Sequence, residues 1–201
     1  VALERLREET EGDESTEGIP ILAAPPGPRV AAAVGTAVHR LLERVDLAGD
    51  LAAQLERGRE ALEDELVREL PADERAEALD HAEEVMARFR RGPLFRRWCE
   101  LAPHFVAREF DVLLPGDPET PGSHLVGVVD LLYRDPETGE LVVADYKTDR
   151  IAPGEDAAAH ASRYGGQGAS YARAVQEAFA LARRPRFELW FLSSGDVFTP
   201  A

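Results

Sequence analysis

The stretch Glu140-Leu-Val-Val-Ala-Asp-Tyr-Lys-Thr-Asp149 constrains this chain more than any other. It reads as a buried strand of apolar residues that ends in a carboxylate and places an ammonium two residues later. Side chains alternate across a strand with a period of two, so Asp145 and Lys147 project to one face and Tyr146 to the other. An ionised carboxylate is costly to bury unless something pairs with it. Lys147 is also the only lysine of the chain, which uses arginine at its other basic positions. A compact ammonium with a shiftable pKa is a different tool from a guanidinium, and one that catalytic sites use. The segment therefore reads as half of an active site, and the fold must bring the other half to it.

With 201 residues the chain can bury one sizeable core, and a single α/β domain with helical additions is expected. No apolar run reaches the roughly 18 residues of a membrane span, and no basic segment precedes an apolar one at the start, so a soluble, cytoplasmic protein is expected. Cys99 is the only cysteine, which rules out a disulfide framework or a four-cysteine metal site made by this chain alone. The net charge is −15, from 38 acidic and 23 basic side chains. Such a balance argues against a free-standing protein that grips phosphates through its bulk field, so DNA must be held by a local patch or by a partner. The first residue is Val1, which fits a piece of something longer.

Residues 1–9 read as a short helix, and residues 10–29, with Pro20, Pro25, Pro26 and Pro28, read as a linker. Val34, Val38, Leu41, Leu42 and Val45 recur at helical spacing and predict a helix over 30–47. Two further helices are expected over 50–70 and 73–91, separated by Pro71 at a first-turn position, and a short amphipathic piece over 94–101. The pattern then becomes strand-like over 105–114, 125–133 and 141–146, with a hairpin turn at Asp135-Pro-Glu-Thr-Gly139. A helix over 166–183 and strands at 187–192 and 197–199 complete a mixed sheet flanked by helices. The absence of a Gly-Lys-Ser/Thr phosphate loop leaves this piece with no sign of its own ATPase.

Asp130 lies inside the apolar run Leu125-Val-Gly-Val-Val-Asp-Leu-Leu-Tyr133. Antiparallel pairing can bring it against Asp145, and two buried carboxylates repel unless a cation lies between them. A hard divalent ion suits carboxylate oxygens, which points to Mg²⁺ or Mn²⁺. Gly127 leaves room for a ligand or close backbone there. His39, in Gly35-Thr-Ala-Val-His39, stands beside the apolar stripe of the first long helix, where Gly35 leaves the surface open. Gln167 and Tyr171, four apart, share a helix face, and Gly165 and Gly166 leave amides free at that helix's start. Taken singly, each of these also reads as a structural residue. The histidines His81, His104, His124 and His160 receive no role.

In order and spacing, Gly35-Thr-Ala-Val-His39, Gly127-Val-Val-Asp130, Asp145-Tyr-Lys-Thr-Asp149 and Gln167-Gly-Ala-Ser-Tyr171 resemble the motifs of the RecB-type nucleases of the PD-(D/E)xK superfamily. The likeness is in particular to the C-terminal nuclease domain of AddA- and RecB-like helicase–nuclease subunits. It covers roughly residues 30–199, and the single cysteine departs from the iron–sulfur branch of AddB-like domains. The resemblance implies a restriction-endonuclease-like α/β core, with residues 1–29 as tether from a helicase region and 30–201 as nuclease domain. It implies that His39, Asp130, Asp145 and the backbone carbonyl of Tyr146 bind Mg²⁺ or Mn²⁺, while Lys147 orients or activates the attacking water. Gln167 and Tyr171 then line the site and contact the DNA backbone, and Glu109 is an outer-shell acid. The implied activity is cleavage of single-stranded DNA made by an attached superfamily 1 helicase, in double-strand-break processing and recombinational repair. A nucleoid-associated location and a second helicase–nuclease subunit follow from the same likeness. One alternative is a catalytically silent nuclease-like domain that guides DNA or acts as a scaffold in the same complex. Another is a stand-alone nuclease of the same superfamily, which the Val1 start and the charge of −15 disfavour.

Overall fold

Five strands stand side by side in chain order: β1 (Phe105–Pro115), β2 (His124–Arg134), β3 (Leu141–Lys147), β4 (Arg186–Phe191) and β5 (Val197–Phe198). They belong to a computed structural model that describes residues 27–115, 124–149, 151 and 155–200. The expected helix over 1–9 and nearly all of the 10–29 linker lie outside these residues. Pairing is antiparallel from β1 to β2 to β3, parallel between β3 and β4, and antiparallel again to β5, which gives the expected mixed sheet. Asp135 shapes the β2–β3 hairpin by accepting the amides of Glu137 and Thr138, and Gly139 takes the positive φ of 72° that closes the turn.

Helices cover both faces of the sheet. On one side lie α1 (Pro28–Arg44), α2 (Leu51–Glu56), α3 (Arg59–Glu69), α4 (Arg75–Arg91) and α5 (Pro93–Leu101). On the other lie α6 (Ala157–Ser162) and α7 (Gly165–Ala178), which carry the chain across from β3 to its parallel neighbour β4. This two-sided cover explains why β3 is buried from Leu141 to Tyr146. Val142, Ala144 and Tyr146 enter the core beneath α1–α5, whereas Leu141 and Val143 enter the core beneath α7. The same alternation turns Asp145 and Lys147 toward α7.

Two polar knots tie the α1–α5 layer to the sheet. Trp98 of α5 is fully buried and donates its indole N–H to the Tyr146 hydroxyl at 3.0 Å. Glu188 of β4 accepts from Arg97, Tyr133, Arg186 and the Trp190 indole, so a buried carboxylate is fully satisfied. These contacts hold α5 and the strand ends in one register.

Several elements differ from the sequence reading, beginning with α1, which runs Pro28–Arg44 against the expected 30–47. The helix expected over 50–70 breaks at Arg57–Gly58 into α2 and α3, because Leu41 of α1 packs where a Cβ on Gly58 would stand, 2.7 Å away. Pro71 sits in the following turn, and α4 begins only at Arg75. The last helix stops at Ala178, since Ala180 takes a left-handed φ of 49° that no helix continues. The short α6 is an addition to the expected elements. The Asp156 carboxylate caps it by accepting the amides of Ala158 and Ala159.

Candidate active site

His39 reaches the sheet from α1, whose buried stripe of Val30, Val34, Val38, Leu41 and Leu42 fixes the helix rotation. Its Nδ1 lies 3.4 Å from Glu109 Oε1 and 3.3 Å from Asp130 Oδ1, and its ring meets Tyr146 edge-on. The ligand atoms of His39, Glu109 and Asp130 all fall within 4.8 Å of one another. Asp130 also accepts the backbone amide of Tyr146 at 2.6 Å, which ties β2 to β3 through the acid itself. Glu109 is brought in by an unusual backbone, with φ of 45° in the middle of β1. Its neighbour Arg108 reaches back to the carbonyls of Leu42 and Val45 at the end of α1, at 3.0 and 2.8 Å.

A second string of groups runs from β3 to α7. Lys147 Nζ stands 2.8 Å from Asp145 Oδ2, close enough for ion pairing but off the axis of a hydrogen bond. Gln167 donates to Asp145 Oδ1 at 3.3 Å and to the Tyr171 hydroxyl at 3.1 Å, and its Oε1 lies 3.5 Å from Lys147 Nζ. Gly168 makes this possible. A Cβ there would fall 2.2 Å from the Phe187 ring, so only glycine lets α7 seat this close to β4. The gap expected above Gly35 is filled instead, by the Thr148 hydroxyl 3.6 Å from where a Cβ would stand.

The two strings meet at the β2–β3 pairing. The ladder ends where Leu131 faces Ala144, and Asp130 and Asp145 stand one residue beyond that pair. Their proximity is visible in the charges. Burial, then repulsion from Asp130, pushes Asp145 up to about 6, with Lys147 pulling the other way. Burial lowers the affinity of His39 for its proton, yet the facing carboxylates of Asp130 and Glu109 outweigh that and push it up to about 10. A proton on His39 thus does part of the work a cation would do.

Two buried carboxylate oxygens here, Glu109 Oε1 and Asp145 Oδ2, have no well-aligned hydrogen-bond donor among the described residues. Each meets only a cationic side chain in poor hydrogen-bond alignment, His39 and Lys147 respectively, and a hard cation is what satisfies such oxygens fully. The donor set fits such an ion. His39, Glu109 and Asp130 already converge, while Asp145 is turned onto Lys147 and Gln167. Glu109 thus stands nearer the centre than its sequence reading as an outer acid. Its signal was only an acid in a strand run, and register places it opposite Asp130.

A model of the PD-(D/E)XK nuclease superfamily matches residues 14–198. The chain belongs to that superfamily. Its D-x-K element is Asp145-Tyr146-Lys147, whose two charged side chains the PD-(D/E)XK sheet sets on one face. The chain is also 39% identical over 170 residues to an ATP-dependent helicase/nuclease subunit of Desulforudis audaxviator, covering 80% of this chain and 13% of that protein. The like-named protein of Pelotomaculum thermopropionicum is 36% identical over 171 residues, covering 80% of this chain and 13% of that one. That of Acetivibrio thermocellus is 31% identical over 155 residues, covering 71% and 11%. This PD-(D/E)XK chain thus spans about an eighth of the length of these relatives. Among the described residues no helix is long and apolar enough to cross a membrane.

Proposed function

We propose that this PD-(D/E)XK domain is a Mg²⁺- or Mn²⁺-dependent deoxyribonuclease that hydrolyses phosphodiesters of single-stranded DNA. The observation that carries the reading is the convergence of His39, Glu109 and Asp130, whose ligand atoms lie within 4.8 Å of one another, with Asp145 buried alongside. His39, Glu109, Asp130, Asp145 and the carbonyl of Tyr146 would hold the ion. When bound, a divalent cation supplies Lewis acidity, lowering the pKa of a water and offsetting charge on the scissile phosphate.

The remaining work falls to the chain's own side chains. The Lys147 ammonium faces the site from the same side as Asp145, where it orients the attacking water and offsets negative charge on the phosphate. Gln167 contacts Asp145, Lys147 and Tyr171, and so links the acid to the ammonium. Gln167 and Tyr171 also meet the DNA backbone. In-line attack then expels the 3′ oxygen and leaves a 5′-phosphate.

The substrate is a strand unwound by an attached superfamily 1 helicase region, in the processing of double-strand breaks for recombinational repair. A second helicase–nuclease subunit completes the assembly, which works at the nucleoid. Support comes from the relatives, which are named helicase/nuclease subunits, and from the net charge of −15, which suits a domain handed its DNA by a motor. The test is cleavage of single-stranded DNA by wild type and by Asp130→Ala and Glu109→Ala. Both variants are expected to lose Mn²⁺-supported cutting while keeping their helical circular dichroism. Cutting at the wild-type rate by either one overturns the assignment.

A further inference from the structure

Among the described residues the Lys147 side chain meets Asp145, Gln167 and one group not assigned above. Its Nζ lies 4.0 Å from the centre of the Tyr164 ring, over the face. Its contact with Gln167 is long at 3.5 Å, and its contact with Asp145 is off-axis, so neither alone fixes a head group on a flexible four-carbon stem. An aromatic face attracts an ammonium from below through its quadrupole and excludes water on that side.

The ring is itself held. The Tyr164 hydroxyl donates to Asp149 Oδ2 at 3.2 Å, and His160 Nε2 meets the same oxygen at 2.6 Å. His160 Nδ1 meets Glu155 Oε1 at 2.9 Å, so the imidazole is clamped between two acids that favour its protonated form. Arg163 adds to this clamp through Glu155, and the buried His160 ring packs against Tyr164 and Phe191. A lone structural tyrosine needs none of this.

We propose that Tyr164 is a positioning residue for Lys147: its ring face holds the ammonium between Asp145 and Gln167, and the Asp149–His160 pair fixes that ring through its hydroxyl. The role in turnover rests on the nuclease reading, whereas the placement of the ammonium does not.

Because Lys147 is the only lysine, labelling the 201-residue chain with ¹³Cε-lysine gives a single side-chain methylene resonance. Shielding by the ring face is expected to hold its protons upfield of free lysine in wild type, and less strongly in Tyr164→Phe, which keeps the ring but loses the hydroxyl that Asp149 holds. In Tyr164→Leu the signal returns to the free-lysine position. A wild-type signal at that position, or one unmoved by Tyr164→Leu, overturns the proposal. The second arm measures Mn²⁺-supported cleavage of single-stranded DNA. Tyr164→Leu is expected to lower kcat about tenfold with KM changed by less than about twofold, and Tyr164→Phe to recover only part of the rate. A leucine variant with wild-type kcat removes the positioning role. Should wild type itself cut nothing, the nuclease reading fails while the resonance still reports the ring contact.

Discussion

Asp145→Asn should make the metal-free protein more stable and the metal-loaded protein less so. Burial and the neighbouring Asp130 lift the Asp145 carboxyl from an ordinary 3.8 to about 6. Holding it ionised at neutral pH therefore costs the fold about 3 kcal/mol. That cost already includes the Lys147 attraction; asparagine keeps the shape and removes the charge, and the poorer fit of its amide to Lys147 and Gln167 leaves a net gain of about 2 kcal/mol. For a chain of this length that corresponds to roughly 4–8 °C in melting temperature. The assay is thermal unfolding in EDTA and again with saturating Mn²⁺. An ion at about a hundred times its Kd stabilises wild type by about 2.7 kcal/mol, and D145N should lose most of that increment. The pH dependence carries its own sign. Between about 6 and 3.8 the folded carboxyl binds its proton while the unfolded one does not, so wild-type stability rises as pH falls through that window. D145N lacks this component, and His39 contributes in a separate window, between 6.5 and about 10. A D145N protein that melts below wild type in EDTA and answers Mn²⁺ equally well would refute the reasoning.

Other consequences follow from the same contacts. Mn²⁺ must displace the proton of His39, so its apparent affinity should strengthen about tenfold per pH unit between about 6 and 8; calorimetry in two buffers would expose proton release, and its absence removes His39 from the site. Glu188→Ala leaves two guanidinium groups, a phenol and an indole without their shared acceptor, and should cost about 3 kcal/mol in urea unfolding; a loss below about 1 kcal/mol contradicts the network. Gly168→Val drives a side chain into the Phe187 ring, so it should cost about 2 kcal/mol and shift Gln167 off Asp145; unaltered cleavage and melting would show that α7 can move aside.

Much of this is readable from residue order. The period-two alternation of β3 places Asp145 and Lys147 together and sends Tyr146 to the opposite core, as the Trp98 hydrogen bond bears out. The hairpin turn and the apolar runs on either side set the pairing that brings Asp130 and Asp145 onto facing strands. Less readable are features that depend on one segment meeting another. The break at Gly58 exists because Leu41 needs the space, and nothing local to residues 50–70 says so. Glu109 enters the site through a left-handed backbone that glutamate does not advertise. His160 carries no motif around it, and its meaning comes from Asp149 and Glu155, eleven and five residues earlier.

Arg108 and Glu109 are adjacent, yet they hold the same helix at two points, one by its terminal carbonyls and one by its imidazole. Helix α1 therefore cannot slip or fray at its far end without pulling His39 out of register with the acids. Occupancy by an ion and the docking of α1 become one cooperative event. Amide hydrogens of that helix should exchange with solvent deuterium more slowly once the ion is present, although none of them touches it.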